Sequence, residues 1–199
     1  YSIVWERCCR NAGIKNIINP GGTGMKYVTE IPPLWGKDNQ LFINSSPQLF
    51  APLGDYACIN QLYYTEFTGI DRDGDSLVYS LARPLNSSSA VALPIPQPAP
   101  HPIVFFSEGY NLDNMILGNP SLSISDRGLL RVNPSESGLF LFSVVVEEFR
   151  AGLKIGQVQR DFQLLVRSEG CDPPDPPVVG IQIPDNKNFI PEIDVLNYS

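Results

Sequence analysis

The sequence predicts an all-β chain organised as an antiparallel β-sandwich, and three observations carry that expectation. The 199 residues include 19 Pro and 16 Gly, and each proline inside a helix costs about 3 kcal/mol through a lost N–H donor and a clash with the preceding turn. Long helices are therefore excluded. Two long strand-like runs, LFLFSVVVEEFR (139–150) and IGQVQRDFQLLVR (155–167), are separated only by AGLK, which is the pattern of a β-hairpin. Shorter runs of strand character recur between turn signals elsewhere, favouring a sandwich over a propeller.

The chain opens with YSIVWERCC (1–9), a strand-like run without an initiating Met, and so reads as a mature or excised piece of a longer polypeptide. Further strands are expected at 56–67 (YACINQLYYTEF), 77–82 (LVYSLA), 103–106 (IVFF) and 129–132 (LLRV). The run at 139–146 is apolar on both faces, as a central strand is. In 155–167, Phe162, Leu164 and Val166 alternate with Asp161, Gln163 and Arg167, so that one face looks inward; Leu165 is the apolar exception. The segment 84–102 holds six prolines without periodicity and reads as an extended, polyproline-like loop. CDPPDPP (171–177) reads as a stiff connector ahead of a new strand-like run, VVGIQI.

Hydrophobic residues make up 43% and charged residues 18%, enough apolar material for a packed core. With 14 Lys+Arg against 21 Asp+Glu, a net charge of -7 and a pI near 4.6, the surface is unsuited to nucleic acid and to anionic membranes. No apolar run approaches the roughly 18 residues that span a bilayer, so direct membrane insertion is not expected.

Cys8, Cys9, Cys58 and Cys171 include no C-x-x-C spacing, and His101 is the one histidine; a zinc site is not expected. On a continuous strand, Cys8 and Cys9 would point to opposite faces. Two long-range bridges, from Cys8 and Cys9 to Cys58 and Cys171 in either order, are therefore expected, with four buried thiols of a reducing compartment as the alternative.

The sharpest local motif is Asp71-Arg72-Asp73-Gly74-Asp75. Three carboxylates on alternate residues, with a glycine that lets the chain fold back, can aim oxygens at one hard cation such as Ca2+. The closing Glu of an EF-hand is missing and a strand follows. Glu66, Glu147, Asp172 and Asp175 are the candidates for further ligands. The plainer reading is a tight turn with solvated aspartates.

An enzyme is not expected. His101 lies in the proline-rich run and reads as a solvated loop residue; no G-x-S-x-G elbow, P-loop or G-x-G-x-x-G occurs, and the GGTG at 21–24 reads as a flexible turn. Glu147 and Glu148 are adjacent on a strand and point to opposite faces, unlike a glycosidase pair. Carbohydrate binding is the rival function, through Trp5, Trp35, Tyr63, Tyr64, Phe105, Phe106 or Tyr110, although most such strand aromatics fill cores. Trp35, between Pro33 and Gly36, is expected to be exposed. Asn44-Ser45-Ser46 and Asn86-Ser87-Ser88 match the glycosylation triplet and read as polar loop.

NSSPQLF (44–50) followed by DRDGDSLVYSL (71–81) resembles the opening of a cadherin-like module. The ordered series of CCRN (Cys8 to Asn11), NSSP (Asn44 to Pro47), Cys58, D-x-D-G-D-S-L-x-Y (Asp71 to Tyr79), E-x-R-x-G (Glu148 to Gly152) and R-D-F-Q (Arg160 to Gln163), ending at Cys171, resembles the extracellular repeats of large adhesins from gliding bacteria. The likeness covers about residues 1–171. It implies a cadherin-like or immunoglobulin-like sandwich in a tandem array, exported by type 9 secretion to the cell surface and serving gliding motility or attachment. The implied partners are neighbouring repeats of the same chain and an extracellular surface or polysaccharide. Metal binding carries over to Asp71, Asp73 and Asp75 alone. The linker CDPPDPP departs from the D-x-N-D-N pattern, which argues against rigid calcium bridging between modules.

The echo between WERCCRNAGIKNI (5–17) and VEEFRAGLKIG (146–156) fits such an array. On this reading, 1–43 is the closing hairpin and connector of a preceding module, 44–171 the cadherin-like sandwich, and 172–199 a Pro-rich linker with the first strand of a following module.

Overall fold

The computed structural model describes residues 1–36, 39–49 and 56–171; the linker and following strand expected at 172–199 lie outside them. Among the described residues there are eleven strands and one 3-10 turn, with no α-helix. The strands are β1 (Ser2–Arg7), β2 (Met25–Glu30), β3 (Gln48–Leu49), β4 (Tyr56–Cys58), β5 (Tyr63–Glu66), β6 (Gly69–Ile70), β7 (Ser76–Ala82), β8 (Ser123–Ile124), β9 (Leu129–Val132), β10 (Gly138–Arg150) and β11 (Leu153–Arg167). The all-β class and the antiparallel sheets expected from sequence are present.

The main sheet runs β1-β2-β11-β10-β7, all antiparallel, with β4 added in parallel to the end of β11. β10 and β11 form the expected hairpin, in register from Gly138↔Val166 to Arg150↔Leu153 with one irregularity after Glu148. Its tight turn is made by Ala151 and Gly152, both at positive φ. A second sheet, β5-β9-β8, lies elsewhere in the chain order, and β3 pairs with β6.

The register decides what each face carries. Phe140, Phe142, Val144 and Val146 of β10 and Leu164 and Val166 of β11 share one face. They form a single core cluster with Tyr79, Leu130, Val132, Met115 and Ile116, so the second sheet contributes to the same core. Phe162 packs edge-on against Phe67, with ring centroids 4.7 Å apart. The opposite face is covered by loops. Leu141 meets Ile14, Ile17 and Val104 there, and beside them lies a layer of buried charge.

Several expectations are corrected by these pairings. The run 56–67 is two strands, because Cys58 to Gln61 turn back. Residues 103–106 make no strand; Ile103 and Phe106 form only isolated bridges, to Leu85 and Ile17, because Val104 is anchored to Pro84 across a loop rather than along a ladder. The β1–β2 hairpin, given by sequence to a preceding module, pairs through β2 with β11 (Val28↔Gln159), so the division at residue 43 does not divide the main sheet. The echoed segments also differ: 146–156 is the tip of the β10–β11 hairpin, whereas β1 ends at Arg7 and the chain then runs through turns.

Candidate functional site

Asp71, Asp73 and Asp75 sit at one pole of the main sheet, in the turn that feeds β7. Asp71 Oδ1 accepts the backbone N–H of Asp73 (2.8 Å) and of Asp75 (3.1 Å), and Gly74 takes the left-handed φ of 82° that closes the loop. This folding brings one carboxylate oxygen from each aspartate within 4.8 Å of the others. Three carboxylate oxygens so placed could together hold a metal ion, and their spacing does not single out which one. The second oxygen of Asp71 is buried and has no hydrogen-bond partner, so one desolvated anionic atom is left uncompensated.

Two residues join the cluster from the distant strand β10. Arg150 donates from Nε to Asp75 Oδ1 (2.7 Å) and from Nη2 to Asp75 Oδ2 (2.6 Å), with Asp73 Oδ2 at 3.6 Å. It also donates to the Ile43 carbonyl and to Asn44 Oδ1, both at 2.9 Å, and its guanidinium lies over the Phe42 ring. Asp75 holds the guanidinium pKa above its ordinary value. Ser45 N–H donates to Asp73.

Glu148 is buried on the core face of β10, in line with Gly156. A Cβ on residue 156 would stand 2.5 Å from Glu148 Oε2, so the glycine makes room for the carboxyl group. Asn44 Nδ2 donates to Glu148 at 2.9 Å. Burial pushes the Glu148 pKa up and the three aspartates push it further, against the pull of Asn44. Of the ligands anticipated from sequence, Glu147 faces the other way and pairs with Lys154, while Asp172 and Asp175 lie outside the described residues. Glu148 and Arg150 carried no signal in the sequence beyond their place in the E-x-R-x-G string. The reading of solvated aspartates fails for Asp75, whose side chain is 2% exposed.

The second constellation is the buried layer on the loop-covered face. Glu6 and Lys26 are cross-strand neighbours, with Lys26 Nζ 2.7 Å from Glu6 Oε1 and both side chains fully buried. Ser88 donates its N–H (2.7 Å) and its hydroxyl (2.8 Å) to the Glu6 carboxylate. His101 Nδ1 lies 3.2 Å from Lys26 Nζ, so this histidine is a partner inside the layer and not the solvated loop residue expected. Beside it, Arg10 pairs with Asp161 and donates to the Leu85 carbonyl. The proline-rich segment thus closes over charges that the sheet leaves unsolvated, because Asn86, Ser88 and His101 bind β1, β2 and the loop between them.

All four cysteines are bridged, but not as expected. Cys58 bonds to Cys171, with Cα atoms 5.8 Å apart, and Cys8 bonds to its neighbour Cys9. The alternation argument against the adjacent pair does not apply, because β1 stops at Arg7 and both cysteines lie beyond the strand. Trp35 is exposed, as expected, at 61%. Tyr64 and Phe105 are exposed too, whereas Tyr110 and Phe106 pack against the core. No protein-family model, curated protein or solved structure matches the chain.

Proposed function

We propose that this chain is a structural and adhesive repeat of a large cell-surface adhesin, built as an immunoglobulin-like or cadherin-like sandwich and used in gliding motility or attachment. The observation that supports this reading is the direction of the chain. β1 is antiparallel to β2 and β2 is antiparallel to β11, so β1 and β11 run the same way. Tyr1 bonds to Ile31 at the pole near Gly156, and the chain reaches Cys171 beyond the far end of β11. At about 3.3 Å per residue, those poles are about 35 Å apart. A module entered at one pole and left at the other joins its neighbours in series and carries tension from pole to pole.

The Cys58–Cys171 bridge suits that load path, since it shields every residue between the two cysteines from extension. Two disulfides also suit an oxidising, extracellular compartment. Ca2+ bound by Asp71, Asp73 and Asp75 would brace the pole where segment 42–45, the β7 turn and the β10–β11 hairpin meet; the unpartnered Asp71 oxygen is the atom that favours it.

Single-molecule pulling from the two ends tests the load path. With the bridge intact, the residues between Cys58 and Cys171 are withheld from extension, and reductant is expected to add about 40 nm of released length. A release that reductant leaves unchanged would sink the role of the bridge in the load path. Protection of the native protein from protease added to intact cells would sink the surface location.

The exposure of Trp35 favours carbohydrate binding as the second reading. Glycan-array binding that Trp35→Ala abolishes would promote it.

A further inference from the structure

We propose that β1 is a docking edge for β1 of a second copy of this chain, the two strands pairing antiparallel about Val4. The proposal is independent of cation binding and of the adhesin reading. Among the described residues, β1 is the outer strand of the main sheet. Ile31 N–H donates to the Tyr1 carbonyl at 2.8 Å, and Tyr1 donates to the Ile31 carbonyl at 2.9 Å. By antiparallel alternation, Ile3, Trp5 and Arg7 bond inward to β2, while Ser2, Val4 and Glu6 turn their N–H and C=O groups away from it. The next group in that outward row, the Cys8 N–H, is taken by the Ala92 carbonyl at 3.4 Å. Ala92 therefore caps the edge, and among the described residues the stretch from Ser2 to Glu6 is left open.

Edge strands are ordinarily blunted by charge, proline or a bulge, and on its exposed face this one carries a single charge, Arg7, at its far end, with no proline and no bulge. Tyr1, Ile3 and Trp5 project to the same side and are 74%, 63% and 46% exposed, with Trp5 stacked on Tyr27 at 5.2 Å. The row is self-complementary. In an antiparallel pair centred on Val4, each Ile3 stands opposite the other copy's Trp5, and each Tyr1 ring stands opposite the other copy's Arg7, a cation–π partner. Ser2 and Glu6 exchange backbone hydrogen bonds with each other's copies. A pairing shifted toward Arg7 runs into Ala92, and one shifted toward Tyr1 loses the Ile3–Trp5 contacts. The two-fold interface is isologous and closes at a dimer. It is smaller than a standard interface, so the dimer forms reversibly with concentration.

Sedimentation equilibrium of the full 199-residue chain from micromolar to millimolar concentration is the test. The mass is expected to rise from 22.0 kDa to twice that value. Val4→Pro removes an outward N–H and no bond to β2, and Ile3→Lys places charge against the partner's Trp5. Each is expected to weaken association at least tenfold with the circular dichroism spectrum unchanged. A wild-type chain that stays monomeric throughout overturns the proposal. So does a dimer of undiminished strength in Ile3→Lys, which would place the contact on another face; this variant decides the matter if Val4→Pro does not fold.

Discussion

Glu6 and Lys26 form a fully buried ion pair, 2.7 Å apart, across β1 and β2. Two charges taken out of water are tolerated because Ser88 and His101 satisfy their remaining hydrogen-bonding groups. Lys26→Met strands the Glu6 carboxylate and is expected to cost about 3–5 kcal/mol, as removal of one partner of a buried pair does. The double replacement Glu6→Leu with Lys26→Met is expected to recover most of that loss. Urea denaturation of the single and double variants measures both.

The same layer predicts loss of stability in acid. Burial and the neighbouring Lys26 charge depress the His101 pKa below 6.5. The unfolded chain therefore takes up that proton first, and the His101 contribution is full above about pH 6.5 and falls below it. Burial alone would raise Glu6, but Lys26 and Ser88 outweigh it and hold its pKa below 4.5, so its contribution is lost as pH falls through that lower value. Glu148 and Asp161, both pushed up by burial, act in the opposite sense, since protonation relieves their burial. The His101 contribution should therefore bend the melting temperature downward from about pH 6.5. His101→Gln should flatten the curve between pH 6.5 and 5; an unchanged slope would remove His101 as its cause.

The two disulfides should contribute unequally. Cys58–Cys171 closes a loop with a sequence separation of 113, and Cys8–Cys9 one of 1. Chain-entropy arguments assign the long loop about 2–5 kcal/mol. Replacing Cys58 and Cys171 by Ser should lower the melting temperature markedly, and replacing Cys8 and Cys9 by Ser should lower it little. Equal losses would contradict the entropic account.

At the carboxylate pole, millimolar CaCl2 should raise the melting temperature and EDTA should reverse the rise. Asp71→Asn should abolish the shift, because it removes the charge on the unpartnered buried oxygen. Absence of any shift in the wild-type chain would sink the metal reading. Arg150→Leu leaves Asp75 buried without its two N–H donors and should destabilise by on the order of 2 kcal/mol with or without calcium.

Asn16 acts as a short piece of backbone. Its Nδ2 donates to the carbonyls of Met115 and Leu141 at 2.7 Å, and its Oδ1 accepts the Leu141 N–H at 2.9 Å, all out of contact with solvent. Asn16→Ala orphans three buried backbone groups at about 1–3 kcal/mol each before relaxation, and should be among the most damaging single substitutions in hydrogen-exchange and melting measurements.

Local pattern was enough for the β10–β11 hairpin, for the inward row Phe162, Leu164 and Val166, and for the aspartate turn, because strand alternation and turn chemistry are properties of neighbouring residues. It failed where partners are distant. The proline-rich segment looked like exposed loop because no periodicity announces that Asn86, Ser88 and His101 bind β1, β2 and the loop between them.

What the sequence by itself determined is therefore the all-β class, the long hairpin and a compact group of carboxylates. The tertiary structure alone decided that Cys58 meets Cys171, that the first hairpin joins β11, and that Glu148 and Arg150 close around Asp71, Asp73 and Asp75. The physical reason is register. Pairing Glu148 with Leu77 and Gly156 sets which side chains reach the pole, and a shift of one residue would turn Glu148 to the opposite face.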